Sequence, residues 1–166
     1  MKWDGVYVVK NTDKYGNIKW TEEAHNYVTD TGIHHIMEAG LTTNSTEVGD
    51  WYIGLIGAAG ATVITSSDAM DSVAWSESTL YAESTRPEWS KTLAAQTCGN
   101  TGAKATFTLN TDGTTIDGAF ICSSNTAGGS SGILLSVAAF GSAKTGDSGD
   151  KLEVSYKIVG SDDTSS

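Results

Sequence analysis

Residues Lys151-Leu152-Glu153-Val154-Ser155-Tyr156-Lys157-Ile158 set an apolar side chain at every second position and a polar one between. A period of two is the pattern of a β-strand with one face on a core and the other in water. A helix needs apolar positions every three or four residues, so this segment does not suit one. Segments 105–109, 115–122 and 133–140 also read as strands, with Gly118 a site for a bulge. Four strands at this spacing predict a mainly β fold, an antiparallel β-sandwich of jelly-roll or Greek-key type. Ser, Thr and Gly make up more than a third of the chain and Pro occurs once, at Pro87. With 39% hydrophobic residues, the 166-residue chain can still bury a core without disulfides or metals.

The first half is less uniform. Val6-Tyr7-Val8-Val9 and Ile18-Lys19-Trp20, separated by a turn-rich stretch, predict a hairpin. A helix is expected over about 21–39. Thr21 would be its N-cap, Glu22 and Glu23 would sit at the positive end of its dipole, and Gly40 would stop it. Trp51-Tyr52-Ile53-Gly54-Leu55-Ile56 is a continuous apolar run that suits a buried strand, and 62–65 is a weaker one. Residues 66–89 form a long irregular stretch pinned by Trp75, Tyr81 and Trp89, of a length that is usually functional or interfacial. Asn110-Thr111-Asp112-Gly113 carries an Asp-Gly turn signal. The expected organisation is one β-rich domain over 1–160 and a flexible tail over 161–166.

The formal net charge is −10, and Arg86 is the one arginine. Nucleic-acid binding draws affinity from clustered Lys and Arg, so a nucleic-acid partner is not expected. No apolar run reaches about 18 residues, so no membrane span is expected. The first residues lack the apolar stretch of a secretory signal, which predicts folding in the cytoplasm. In that reducing setting Cys98 and Cys122, on separate strands, read as unpaired thiols ahead of a disulfide.

Motifs for chemistry are sparse. Gly128-Gly129-Ser130-Ser131-Gly132 matches a nucleophile elbow by letter, but it lies in a Gly/Ser loop and all three histidines precede it. His34 and Glu38 are four residues apart, yet no third metal ligand is implied, and a surface or packing histidine pair is favoured. Asp112, Asp147 and Asp150 lack the alternating spacing of a Ca²⁺ loop and read as solvated turn carboxylates. Asn44-Ser45-Thr46 is a glycosylation sequon by letter. No cofactor, metal or catalytic set is expected.

Arg86-Pro87-Glu88-Trp89 has two readings. Arg86 is a loop clasp paired with Glu83, Glu77 or a main-chain carbonyl. In the competing reading Arg86, Trp89, Tyr81 and Trp75 anchor an interface, because Arg, Trp and Tyr dominate binding hot spots.

Five stretches together resemble a family of small structural proteins of tailed-bacteriophage virions. They are Ile18-Lys19-Trp20-Thr21-Glu22-Glu23-Ala24-His25-Asn26, Trp51-Tyr52-Ile53-Gly54-Leu55-Ile56, Tyr81 through Arg86-Pro87-Glu88-Trp89, Ile116-Asp117-Gly118-Ala119-Phe120-Ile121, and Gly149-Asp150-Lys151-Leu152 with Tyr156. The resemblance implies a non-enzymatic virion component assembled in the host bacterial cytoplasm. A capsid decoration or cement protein comes first. It would bind the major capsid protein or other virion proteins as a homo-oligomer, a trimer for preference. A neck, collar or tail component is the alternative. A further one is a carbohydrate-binding host-recognition module using Trp51, Trp75 or Trp89 as a stacking surface.

Overall fold

The computed structural model describes residues 2–42, 47–57 and 63–161. Among them the chain is mainly β, with two antiparallel sheets and one helix. The elements are β1 (Lys2–Thr12), β2 (Ile18–His25), β3 (Tyr27–Val28), α1 (Asp30–Leu41), β4 (Tyr52–Ile56), β5 (Glu77–Ser78), β6 (Thr92–Ala94), β7 (Thr97–Gly99), β8 (Ala105–Thr108), β9 (Thr114–Cys122), β10 (Leu134–Gly146) and β11 (Lys151–Ser161). The first sheet runs β2-β1-β11-β7-β6, with β8 also on β11; the second runs β3-β10-β9-β4-β5.

The alternating segment organises the first sheet. Leu152, Val154, Tyr156 and Ile158 all face the core. One edge of β11 pairs with β1 along its whole length. The other edge is divided, with β8 opposite 151–154 and β7 opposite 157–159. Asn100 fills the gap between them. Its Oδ1 accepts the Tyr156 N–H at 2.7 Å and its Nδ2 donates to the Val154 carbonyl at 3.2 Å, so a side chain replaces the missing rungs. The sheets are pinned at the centre by Tyr7 of β1. Its ring lies 4.4 Å from that of Tyr156, and its hydroxyl bonds to the Ser136 hydroxyl on β10.

The second sheet is apolar on both faces. Ile53, Leu55, Ile116, Ala119 and Ile121 pack inward against the first sheet. Ile56, Phe120, Cys122, Leu134 and Val137 point the other way, under Met70 and Trp75. This accounts for the unbroken apolar run at Trp51–Ile56, since a strand buried on both faces has no polar alternation to show.

Several expectations are corrected. The helix starts at Asp30, with Thr29 as its N-cap accepting from the Gly32 N–H at 3.0 Å, and Thr21 lies in β2. Trp20, Glu22 and Ala24 share the inward side of β2. Glu22 is held there by Lys144 at 3.0 Å and the Gly141 N–H at 2.9 Å, and this paired carboxylate hid the alternation. Residues 63–65 form no strand. The expected turn at Asp112-Gly113 is present, and it joins β8 to β9, which belong to different sheets. The irregularity expected at Gly118 is present beside it, where the pairing passes from Ala139↔Gly118 to Lys144↔Ile116 with the extra residues in β10. Ser161 pairs with Lys2 at the end of β11, so only 162–166 of the expected tail lie outside the described residues. The sequon at 44–46 also lies outside them.

Gly54 shows how tightly the outer face is filled. A Cβ there would overlap the Phe120 ring, which cannot yield because Trp75 lies 4.9 Å from it and the Arg86 guanidinium 5.2 Å from it. Gly54→Ala is expected to cost about 1–3 kcal/mol by overpacking, read from the urea midpoint. Unchanged stability would show that the outer layer is loosely packed.

Candidate functional site

A sheet with two apolar faces needs a cover, and residues 63–89 supply it. Trp75 is anchored in that cover by its Nε1–H, which donates to Asp68 at 2.9 Å. Residues 86–89 then run beside β4. The Pro87 carbonyl accepts the Ile53 N–H at 2.9 Å, and the Trp89 N–H donates to the Trp51 carbonyl at 2.7 Å. This arrangement carries Arg86 into the molecule, where it is 1% exposed.

Every N–H of the Arg86 guanidinium is used. Nε and Nη2 donate to the two oxygens of Glu77 at 2.9 and 2.7 Å. Nη2 also reaches the Gly129 carbonyl at 2.8 Å. Nη1 reaches the Ser124 carbonyl at 2.8 Å and the Cys122 sulfur at 3.1 Å. The backbone N–H of Arg86 donates to the Asn125 carbonyl at 2.8 Å, and Glu77 accepts the Gly128 N–H at 2.7 Å. One ion pair thus ties the cover, β5 and the 123–132 loop together. Burial by itself would lower the guanidinium pKa. The bonds to Glu77 more than offset it and raise the value, so Arg86 stays charged.

The structure therefore brings Arg86 to Glu77 and to main-chain carbonyls, two of the three partners expected for a clasp. Glu83 instead accepts the Thr108 N–H with both oxygens. The interface reading needs correction. Trp75, Tyr81, Arg86 and Trp89 are all buried, so none offers a contact to a partner while the cover is in place. Tyr81 packs edge-on to Phe107 at 5.0 Å, and burial, foremost, raises its hydroxyl pKa. The Trp89 Nε1–H donates to the Tyr156 carbonyl at 3.2 Å. Trp51 is buried too, against His35 at 5.6 Å, so the three tryptophans put forward for sugar stacking are turned inward.

Cys98 on β7 and Cys122 on β9 are both free thiols. Burial pushes the Cys122 thiol up and outweighs the opposing Arg86 charge, which keeps it protonated and a poor nucleophile at neutral pH. His34 lies 4.0 Å from Glu38 on the surface, while His35 packs into the molecule. Among the described residues no three His, Cys, Asp or Glu side chains are grouped as metal ligands.

The turn carboxylates are engaged, not merely solvated. The Lys19 ammonium donates to Asp147 and Asp150, each at 2.8 Å. Asp112 accepts the Ser148 N–H at 2.9 Å. Burial acts to raise the Asp150 carboxyl, but bonds from Lys19, the Asp147 N–H and Asn11 hold it below its usual range. The Lys19 bond, foremost, does the same for Asp147.

Sequence reasoning missed the β6–β7 hairpin. Its two-residue turn is Ala95-Gln96, with Ala95 at φ 51°, and no glycine marks it. Beside it lies an open apolar depression of about 490 Å³, lined in part by Trp3, Leu93, Cys98 and Ile158. No helix among the described residues is long and apolar enough to cross a membrane. No family model, curated protein sequence or solved structure matches the chain.

Three outcomes follow from this geometry. Arg86→Met leaves Glu77 buried without its partner and is expected to cost about 3–5 kcal/mol in urea unfolding. Arg86→Lys, which cannot span the same acceptors, should cost about 2 kcal/mol or more; near wild-type stability in both would refute the clasp. Asp147 and Asp150 titrate lower folded than unfolded, where the value is near ~3.9. Their contribution is therefore present above about pH 4 and lost as pH falls through the folded values. Lys19→Met should be less stable than wild type at pH 7, with the gap closing as pH falls from about 4 through the folded values. A gap that persists in acid would separate Lys19 from these carboxylates.

Proposed function

We propose that this chain is a structural component of a tailed-phage virion, acting by attachment to other virion proteins. A capsid decoration or cement role is the first choice. The observation that carries the reading is where the resembling stretches fall. They supply β2, β4 with the residues just before it, the Arg86 clasp, most of β9, and the start of β11 with Tyr156. These are the parts that fix the body, which fits a family sharing a rigid scaffold. Many copies on a symmetric shell need little affinity each, because simultaneous contacts multiply. A protein that binds the assembled shell better than loose subunits stabilises the shell by mass action.

The test is copy number in purified particles, by quantitative mass spectrometry against the major capsid protein. Decoration predicts on the order of hundreds of copies, as the shell's symmetry repeats the site. About a dozen or fewer would move the chain to the neck or tail, and its absence from particles would overturn the proposal.

A further inference from the structure

The core-facing side of the first sheet continues beyond the second sheet at one end. Leu93, Cys98 and Ile158 are direct partners across β6, β7 and β11, so their side chains share that face. Trp3, paired with Gly160 on β11, bounds the same depression. Leu93 is 73% exposed at its rim, a large apolar side chain with nothing over it in the described chain.

The depression lies beside a sheet edge that is unpaired among the described residues. β6 ends the first sheet, and all three of its residues are exposed. The two-residue turn at Ala95-Gln96 makes Ala94 and Thr97 the closing hydrogen-bonded pair, and alternation then turns the N–H and C=O of Leu93 away from β7. An apolar small molecule could fill the depression but would leave these backbone groups unmatched. An extended peptide satisfies both, with main-chain bonds giving affinity and the pocket reading an alternate side chain. Charge adds a second constraint. Lys91 immediately precedes β6, and its charge reaches the Cys98 thiol, one of the groups lining the depression. Its Nζ lies 5.9 Å from the Trp89 ring centre and donates to the Gly49 carbonyl at 3.2 Å, which holds the cation beside the depression in an otherwise acidic chain.

We propose that β6 and this depression form a docking site for an extended segment of another protein. The segment adds antiparallel to β6, with an apolar side chain opposite Leu93 and an acidic one opposite Lys91, two residues further along the partner. The site does not depend on the virion reading, because it follows from the edge, the depression and Lys91 alone.

The test uses the full chain, labelled with ¹⁵N, and the synthetic peptide acetyl-Thr-Val-Thr-Leu-Thr-Glu-Thr-amide, titrated to millimolar concentration. Saturable shifts are expected at the amides of 91–98 and at the Trp3 indole. Replacing the peptide's Glu by Lys, or N-methylating its Leu, should weaken binding tenfold or more. Leu93→Pro removes the outward N–H and the apolar side chain on an edge strand, where proline is tolerated, and should abolish the shifts while circular dichroism stays unchanged. If Leu93→Pro does not fold, the N-methylated peptide against the wild-type chain decides alone. Shifts elsewhere, no saturation, or equal binding of the N-methylated peptide would overturn the proposal.

Discussion

A five-stranded sheet with apolar side chains on both faces governs the rest of this structure. One face is satisfied by the other sheet, through Tyr7, Phe107, Val154 and their neighbours. The other must be covered by chain with little regular structure of its own, and residues 63–89 do this with Met70 and Trp75. Irregular backbone over a hydrophobic surface carries polar groups that need partners. Arg86 and Glu77, both within that stretch, tie it to the neighbouring 123–132 loop, where their side chains bind three main-chain groups.

Burying an ion pair is not in itself favourable, because desolvation offsets much of the attraction. What the pair supplies is geometry. A planar guanidinium with five fixed donors accepts one arrangement of Glu77, Ser124, Gly129 and Cys122, so the cover and the loop seat in one way. The same logic recurs where Lys19 gathers Asp147 and Asp150 at the turn into β11. Among the described residues the chain is thus tied firmly around the second sheet and leaves the β6 edge of the first unpaired.

Much of this was legible in the sequence. The alternation of 152–158 and the two-sided apolar runs of β4 and β9 identify strands directly, and a lone arginine near Glu77 pointed to a dedicated partner. What failed did so for physical reasons. Glu22 faces inward against Lys144, so β2 lacked the apolar alternation that separates a strand from a helix start. Strands of three residues around an Ala-Gln turn leave almost no pattern, which hid β6 and its hairpin with the strand of Cys98. The Asp-Gly turn marks a reversal but not which strands pair across it, because pairing is set by distant segments. Trp75, Tyr81 and Trp89 looked like surface anchors because residues 66–89 show no periodicity. Trp75 is buried by the outer apolar face of the second sheet beside Phe120, whereas Tyr81 and Trp89 pack on the first sheet against Phe107 and Tyr156, contacts that are visible once the strands are assembled.

The central claim is that Arg86 and Glu77 act as one unit in seating the cover. A double-mutant cycle of Arg86→Met, Glu77→Gln and the pair, by urea unfolding with the slope held constant, measures this directly. Coupling of about 2 kcal/mol or more is predicted, with the double variant hardly worse than Arg86→Met. Losses that add within about 0.5 kcal/mol would contradict it, showing that the cover is held by its apolar contacts alone.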